Sequence, residues 1–330
     1  MLNIALLGAG RIGQIHGRNV AASGRARLAG VADVFAQSAE NLARATGASV
    51  MTLDQIFAAD DIDAVLIGTS TDTHADLIDR AAAAGKAVFC EKPVDLSATR
   101  IAETLEKVDK AGIPLMIGFN RRFDPNFAAV QRRVAAGEAG RVELVTILSR
   151  DPAPPPVSYI ERSGGLFRDM MIHDFDMARF LVAEEFIEVQ AMGSALVDPA
   201  IGEAGDVDTA AVLLKTQSGV ICQISNSRRA TYGYDQRIEV HGSSGLISAA
   251  NVHETTVTFA GSQGFTSDPV MNFFLERYEA AYRRELHAFI DAIDAGMAPS
   301  PSGYDGLQAQ RLADAATQSH RTGKPVHLAP

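Results

Sequence analysis

The run Gly8-Ala9-Gly10-Arg11-Ile12-Gly13 begins where an apolar stretch, Leu2–Leu7, ends, and it leads into Gln14-Ile15-His16-Gly17-Arg18-Asn19-Val20, which reads as a helix start. A glycine loop set between a buried strand and a helix constrains this chain more than any other feature. The first glycine permits a tight turn, the second lets the backbone approach a pyrophosphate, and the third lets helix and strand pack closely. The helix N-terminus adds free N–H groups and a partial positive charge. Leu28–Ala32, Ala64–Ile67, Ala87–Cys90 and Leu115–Phe119 are further short apolar runs separated by helix-length segments. This alternation describes parallel strands buried on both faces with crossover helices, an α/β, doubly wound Rossmann sheet. Among the crossovers, Ser97 reads as an N-cap, Ile101, Leu105 and Val108 as a buried stripe, and Gly112 as the left-handed residue just past the end.

Asp33 lies twenty residues beyond Gly13 at the end of the second strand. An acid there accepts hydrogen bonds from an adenosine ribose and repels a 2′-phosphate, and no Arg or Lys follows until Arg44. The cofactor expected from this pattern is NAD rather than NADP. The plainer alternative is that the glycines serve only a turn and Asp33 only ends a strand.

After Phe119 the pattern changes. Val142–Leu148, Ile187–Ala191, Thr209–Lys215, Val220–Ser225, Arg237–His241 and Leu246–Ala249 read as strands, in places with only short connections. Gln217-Ser218-Gly219 and Gly242-Ser243-Ser244-Gly245 are tight-turn chemistry, so these strands are expected to pair antiparallel. Four prolines (Pro152, Pro154, Pro155, Pro156) mark a stiff loop, and Tyr278, Tyr282, Leu286, Phe289, Ile290 and Ile293 fall on one helix face. At roughly 100–200 residues per domain, 330 residues are expected to form two. The expected division is a Rossmann domain over 1–120 and an α+β domain with an open, mostly antiparallel sheet over 121–330. With 30 Lys+Arg against 40 Asp+Glu there is no basic excess, so no nucleic-acid partner is expected. Leu2–Leu7 is too short to span a membrane and lacks a preceding basic residue, so neither a membrane segment nor a signal peptide is read there. Two cysteines, Cys90 and Cys222, fit a reducing, cytoplasmic compartment.

Two segments concentrate reactive side chains. Glu91-Lys92-Pro93 stands at the C-terminal end of a parallel strand, where open α/β sheets place their ligands. A lysine there can polarise a substrate hydroxyl or stabilise an alkoxide, although a solvated surface lysine fits the same position. In Gly164-Gly165-Leu166-Phe167-Arg168-Asp169-Met170-Met171-Ile172-His173-Asp174-Phe175-Asp176, the residues Asp169, His173 and Asp176 recur at i, i+4 and i+7, which puts them on one stripe of a helix. A histidine one turn from an aspartate can be oriented and kept basic by it, as a general base requires. Read without the cofactor loop, Asp169 as a helix cap and His173 as an interior histidine is the favoured reading. One His and two carboxylates on a helix, with no Cys cluster and no HExxH pattern, are not a metal set, so no metal is expected.

With these residues the chain resembles the glucose–fructose oxidoreductase/inositol dehydrogenase (GFO/IDH/MocA) family over nearly its whole length. The resemblance rests on GAGRIGQIHGRN at 8–19, GTSTDTHADL at 68–77, EKP at 91–93, NRRFDPNF at 120–127, GGLFRDMMIHDFDMARFL at 164–181 and YGYDQRIEVHG at 232–242. It implies catalytic roles for three residues. His173 would take the proton of the reacting hydroxyl, Asp169 would hold His173 and the sugar, and Lys92 would bind the same oxygen. It implies a cofactor site of Gly8, Gly10, Arg11, Ile12, Gly13, Asp33, Thr69, Thr71, His74, Glu91 and Lys92. A polyol site would take Asn120, Arg122, Asp151, Asp169, His173 and Tyr232. The implied reaction is NAD-dependent oxidation of one secondary hydroxyl of a cyclic polyol, myo-inositol to 2-keto-myo-inositol. Another sugar or inositol isomer, a glycosidase that retains NAD, and an NAD-sensing regulator are the rival readings. The resemblance also implies a homotetramer formed through the open sheet face and a cis peptide before Pro93. Arg168 and the proline-rich loop 152–156 depart from the family's pattern and bear on which polyol is preferred.

Overall fold

The computed structural model describes residues 1–329. The chain divides into two compact units, Met1–Phe123 with Ala281–Gln310, and Asp124–Ala280 with the residues from Arg311 onward.

In the first unit β1 (Leu2–Leu7), β2 (Ala26–Ala32), β3 (Ser49–Val50), β4 (Ala64–Ile67), β5 (Ala87–Glu91) and β6 (Leu115–Gly118) form a six-stranded sheet. Its order is 3-2-1-4-5-6 and every pairing is parallel, the arrangement in which the strand order reverses between β1 and β4 and leaves a crevice at their C-terminal ends. Strands β1, β4, β5 and β6 are buried over most or all of their length because helices cover both faces. The helix Ala98–Ala111 starts at Ser97, whose side chain accepts from Arg100 N, and ends at Gly112 in the left-handed conformation, as its sequence predicts.

The division differs from the expected one in its last third. Residues 281–310, placed by sequence in the 121–330 domain, belong to the first unit. The reason is the apolar face of the helix Glu279–Asp294. Leu286, Phe289 and Ile290 join the core built from β1, β2, β4 and β5, with the Phe289 and Phe89 rings 5.8 Å apart edge to face. A few residues on, Ile117 N donates to Pro301 O and Met116 bridges Ser302, which covers the β6 edge.

In the second unit β7 (Val142–Arg150), β8 (Phe186–Ser194), β9 (Thr209–Thr216), β10 (Ile221–Ser227), β11 (Asp235–Gly242), β12 (Gly245–Ala249) and β15 (Val326–His327) form one seven-stranded sheet, ordered β12-β11-β7-β10-β9-β8-β15. All neighbours are antiparallel except β10 and β7. The two tight turns read in the sequence join β9 to β10 and β11 to β12. Alternate residues such as Val145, Ile147, Val212, Leu214, Cys222, Ile224 and Val240 are buried on one face, against which the helix Ile172–Val182 packs. The separate hairpin β13 (Thr258–Gly261) and β14 (Gly264–Ser267) has exposed residues throughout.

Candidate active site

The first unit gathers the predicted nucleotide-binding residues at the C-terminal ends of its strands. Gly8 has φ +92°, and a Cβ on Gly13 would fall 1.9 Å from the Gly8 carbonyl oxygen, so loop and helix meet without room for a side chain. A Cβ on Gly10 would meet no protein atom within 4 Å, and Gly10 is the N-cap of the helix Arg11–Ala22 with no side chain capping it. Backbone N–H groups at that end are therefore open to an anion, with Arg11 and Ile12 in the first turn. Asp33 closes the other side: Oδ2 accepts from Ala9 N at 2.6 Å and Oδ1 from Phe35 N at 2.7 Å. Those bonds fix the carboxylate against the glycine loop while each oxygen retains a lone pair for a ribose hydroxyl. The donor set and the bare Gly10 fit a dinucleotide.

The loop after β4 is tied to the segment after β5. His74 Nδ1 lies 2.8 Å from the Pro93 carbonyl oxygen and its Nε2 lies 3.1 Å from that of Thr69. Burial lowers the proton affinity of His74, against the pull of these two carbonyls and of Glu91. The Thr69 and Thr73 hydroxyls are 2.7 Å apart, and Thr71 opens the short 3-10 turn between them. Thr69, Thr71, His74, Lys92 and Pro93 thus come together, and the Lys92–Pro93 peptide is cis. Glu91, read as a cofactor residue, turns its carboxylate inward, where it accepts from His16 Nε2 at 2.6 Å. Asn120 and Arg122 lie in the turn after β6, both buried, with the Arg122 guanidinium donating to Asp305 at 2.9 Å.

The second unit holds the proposed acid–base residues, and here one expectation is corrected. Asp169, His173 and Asp176 do not share one continuous helix. Asp169 ends the short helix Leu166–Asp169, and His173 is the second residue of the helix Ile172–Val182. Met171 N bonds back to Leu166 O, five residues away, so the turn widens at Met170–Met171 and the stripe is broken there. Asp176 is buried. Next to His173, buried Asp174 anchors the helix to the sheet by accepting from Ser149 Oγ on β7 at 2.6 Å and from Asn226 Nδ2 on β10 at 2.9 Å.

Asp169 is held from two sides. The Tyr159 hydroxyl donates to its Oδ1 at 3.0 Å, and Nη2 of fully buried Arg228 lies 3.8 Å from its Oδ2 and 3.9 Å from Asp206 Oδ2. Asp206 in turn accepts from Leu166 N, in the left-handed Gly164-Gly165 approach where a Cβ on Gly165 would sit 2.5 Å from its Oδ1. Asp151 follows β7, its N–H donating to Ser227 O. Tyr232 is half-exposed and donates to Asp235 at 2.6 Å; burial and then Asp235 raise its phenol above the usual range. Arg168 is drawn onto Asp314 at 2.7 Å. Sequence reasoning missed Tyr159, Asp206 and Arg228: tertiary packing brings them to the 165–169 segment, and nothing local in sequence marks Arg228 as fully buried.

Both units have close counterparts. Residues 2–119 match the NAD-binding Rossmann fold of the GFO/IDH/MocA oxidoreductase family, and residues 131–328 match its C-terminal alpha/beta domain. The chain is 54% identical to the inositol 2-dehydrogenase of Rhizobium meliloti (strain 1021), covering 99% of each. Its fold superposes with a TM-score of 0.96 on a myo-inositol dehydrogenase of Corynebacterium glutamicum, 47% identical over 100% of this chain and 99% of that one. A TM-score of 0.92 relates it to a scyllo-inositol dehydrogenase of Lactobacillus casei solved with NAD(H) and scyllo-inositol, 29% identical over 99% of each chain. A nucleotide loop on one unit, a histidine and a guarded carboxylate on the other, and a match running through both leave one assignment: the chain belongs to the GFO/IDH/MocA family of NAD-binding oxidoreductases.

Proposed function

We propose that the protein oxidises one secondary hydroxyl of a cyclic polyol with NAD, converting myo-inositol to 2-keto-myo-inositol. The observation that carries this reading is the end-to-end similarity to the Rhizobium meliloti inositol 2-dehydrogenase, with Lys92, Asp169 and His173 all in place. NAD, when bound by Gly8, Gly10, Arg11, Ile12, Gly13, Asp33, Thr69, Thr71, His74 and Lys92, supplies the hydride acceptor. His173 takes the proton of the reacting hydroxyl, and Asp169 orients the imidazole and keeps it basic. Lys92 donates to the same oxygen and stabilises the negative charge that develops there. Asn120, Arg122, Asp151 and Tyr232 supply hydroxyl partners around the ring. Glu91 contributes from behind, through His16.

The assembly in this reading is a homotetramer in the cytoplasm. Leu144, Met192, Leu213, Ile221 and Leu246 are exposed on the face of the second sheet opposite its core, a patch of the kind that association covers. Cys90 and Cys222 are free and buried, and no described helix is long and apolar enough to cross a membrane.

A panel of inositols and hexoses with NAD and NADP, followed at the nicotinamide absorbance band, tests the reaction. Stoichiometric NADH with myo-inositol is expected. A better turnover of another isomer or of a hexose reassigns the substrate, and cleavage of a glycoside without net NADH reassigns the reaction. Light scattering tests the assembly, and a monomer at micromolar concentration discards the tetramer.

A further inference from the structure

Beneath the nucleotide-binding end of the first unit lies a sealed group of three titratable side chains. His16 comes from the helix that follows the glycine loop, Glu91 from the end of β5, and Glu285 from the returning helix Glu279–Asp294. Their ligand-type atoms all lie within 4.8 Å of one another, and all three residues are buried. His16 Nε2 donates to Glu91 Oε1 at 2.6 Å, while Glu285 Oε1 stands 4.0 Å from the same nitrogen. The Phe89 and Tyr282 rings flank the imidazole at 5.1 and 5.7 Å. Neither Glu285 oxygen has a hydrogen-bond donor among the described residues.

An ionised carboxylate in that position would be desolvated, without a donor, and beside a second carboxylate. A neutral carboxyl has none of these costs and brings an O–H that the Glu91 carboxylate can accept. We propose that Glu285 stands as a neutral carboxylic acid and is a positioning residue: together with His16 it holds the Glu91 carboxylate, and so fixes the end of β5 that carries Lys92. Burial and the neighbouring Glu91 charge both push the Glu285 proton affinity up, in the same direction. The arrangement ties the helix that presents its N-terminus to phosphate, the strand end that presents Lys92, and a segment from nearly 200 residues further along the chain. The proposal rests on the reading that Lys92 acts on the substrate hydroxyl.

The test joins a spectroscopic arm that needs no turnover to a kinetic arm that does. Infrared difference spectra of the full chain at neutral pH should contain the carbonyl stretch of a protonated carboxyl, absent from Glu285→Gln. No such band, or stoichiometric metal bound to the three residues by elemental analysis, overturns the neutral acid. Glu285→Leu should lower kcat about 10- to 100-fold through a displaced Lys92, with the KM for NAD changed far less. Glu285→Gln, which keeps a neutral donor, should restore most of it. Wild-type kcat in Glu285→Leu, or equal damage in both variants, overturns the positioning role. Should the leucine variant fail to fold, the band and the glutamine variant's kcat decide. A band without polyol oxidation in the wild type would leave the neutral acid standing and fault the substrate reading instead.

Discussion

The two units build their candidate sites from different materials. The first shapes its site with backbone: three glycines, helix N–H groups, and Asp33 hydrogen-bonded to main-chain N–H groups on either side. The second shapes its site with charge, Asp169 faced by Arg228 and Tyr159 and Asp174 gripped by Ser149 and Asn226, and elsewhere in that unit Asp124, the cap of the helix Pro125–Ala135, is paired with buried Arg277. A backbone-built site fails by steric intrusion, and a charge-built site fails by an uncompensated ion. The two should therefore break under different substitutions and with different readouts.

The largest effect is expected where proton transfer itself is removed. His173→Ala should lower kcat by about 10²–10⁴-fold with NAD affinity within a few-fold. Parallel losses in turnover and NAD binding would make His173 structural. Next is the charge framework of the second unit. Arg277→Met leaves Asp124 buried without its partner and should cost about 3–5 kcal/mol, read as a shifted denaturation midpoint. A loss below about 1 kcal/mol would mean the pair behaves like a surface one and would undo the contrast between the two units. In the first unit, Gly13→Ala forces a Cβ into the Gly8 carbonyl, and overpacking of about 1–3 kcal/mol should weaken NAD binding by about 10- to 100-fold while the second unit's stability is untouched. Asp33→Ser should relax discrimination against NADP, and an unchanged preference would remove Asp33 from the ribose site.

The smallest effect is on the pH dependence of stability, and it separates the units by window. Burial depresses His74, so its contribution is present above its unfolded value of 6.5 and lost as pH falls through the lower folded value. Glu285 acts oppositely, its raised value removing stability as pH climbs above 4.5. The measure is thus the difference between wild type and His74→Gln, which should open below pH 6.5. In the second unit Asp208 is pushed up by burial but more than offset by N–H donors from Leu196, Val197 and Asp198, so its contribution is lost only as pH falls below 3.8. Asp208→Asn should leave the 6.5 window unchanged.

The same contrast governs what could be read from the sequence. Apolar runs and turn glycines are local, and β1, β4 and the helix Ala98–Ala111 fall where their residues put them. A two-residue strand such as β3 has no period to detect, and β13–β14, exposed on both faces, has no alternation. The widened turn at Met170–Met171 carries no Gly or Pro to announce it, so Asp169 and His173 read as one helix. Buried charges are the least legible: Asp124 and Arg277 are 153 positions apart, and neither has a neighbour that marks it as interior. The Glu279–Asp294 helix displays its apolar face plainly in sequence, but periodicity says only that the face is buried and not which core receives it.

The dependence of the first unit's core on this helix bears on synthesis. A ribosome delivers the six parallel strands before Asp124–Ala280, yet Leu286, Phe289 and Ile290, which complete their packing, emerge only after that stretch has been made. Until then the nascent nucleotide-binding unit exposes part of its interior, so the usual vectorial order, in which the N-terminal body finishes first, cannot hold. Maturation of that body waits on a helix translated after most of the second unit.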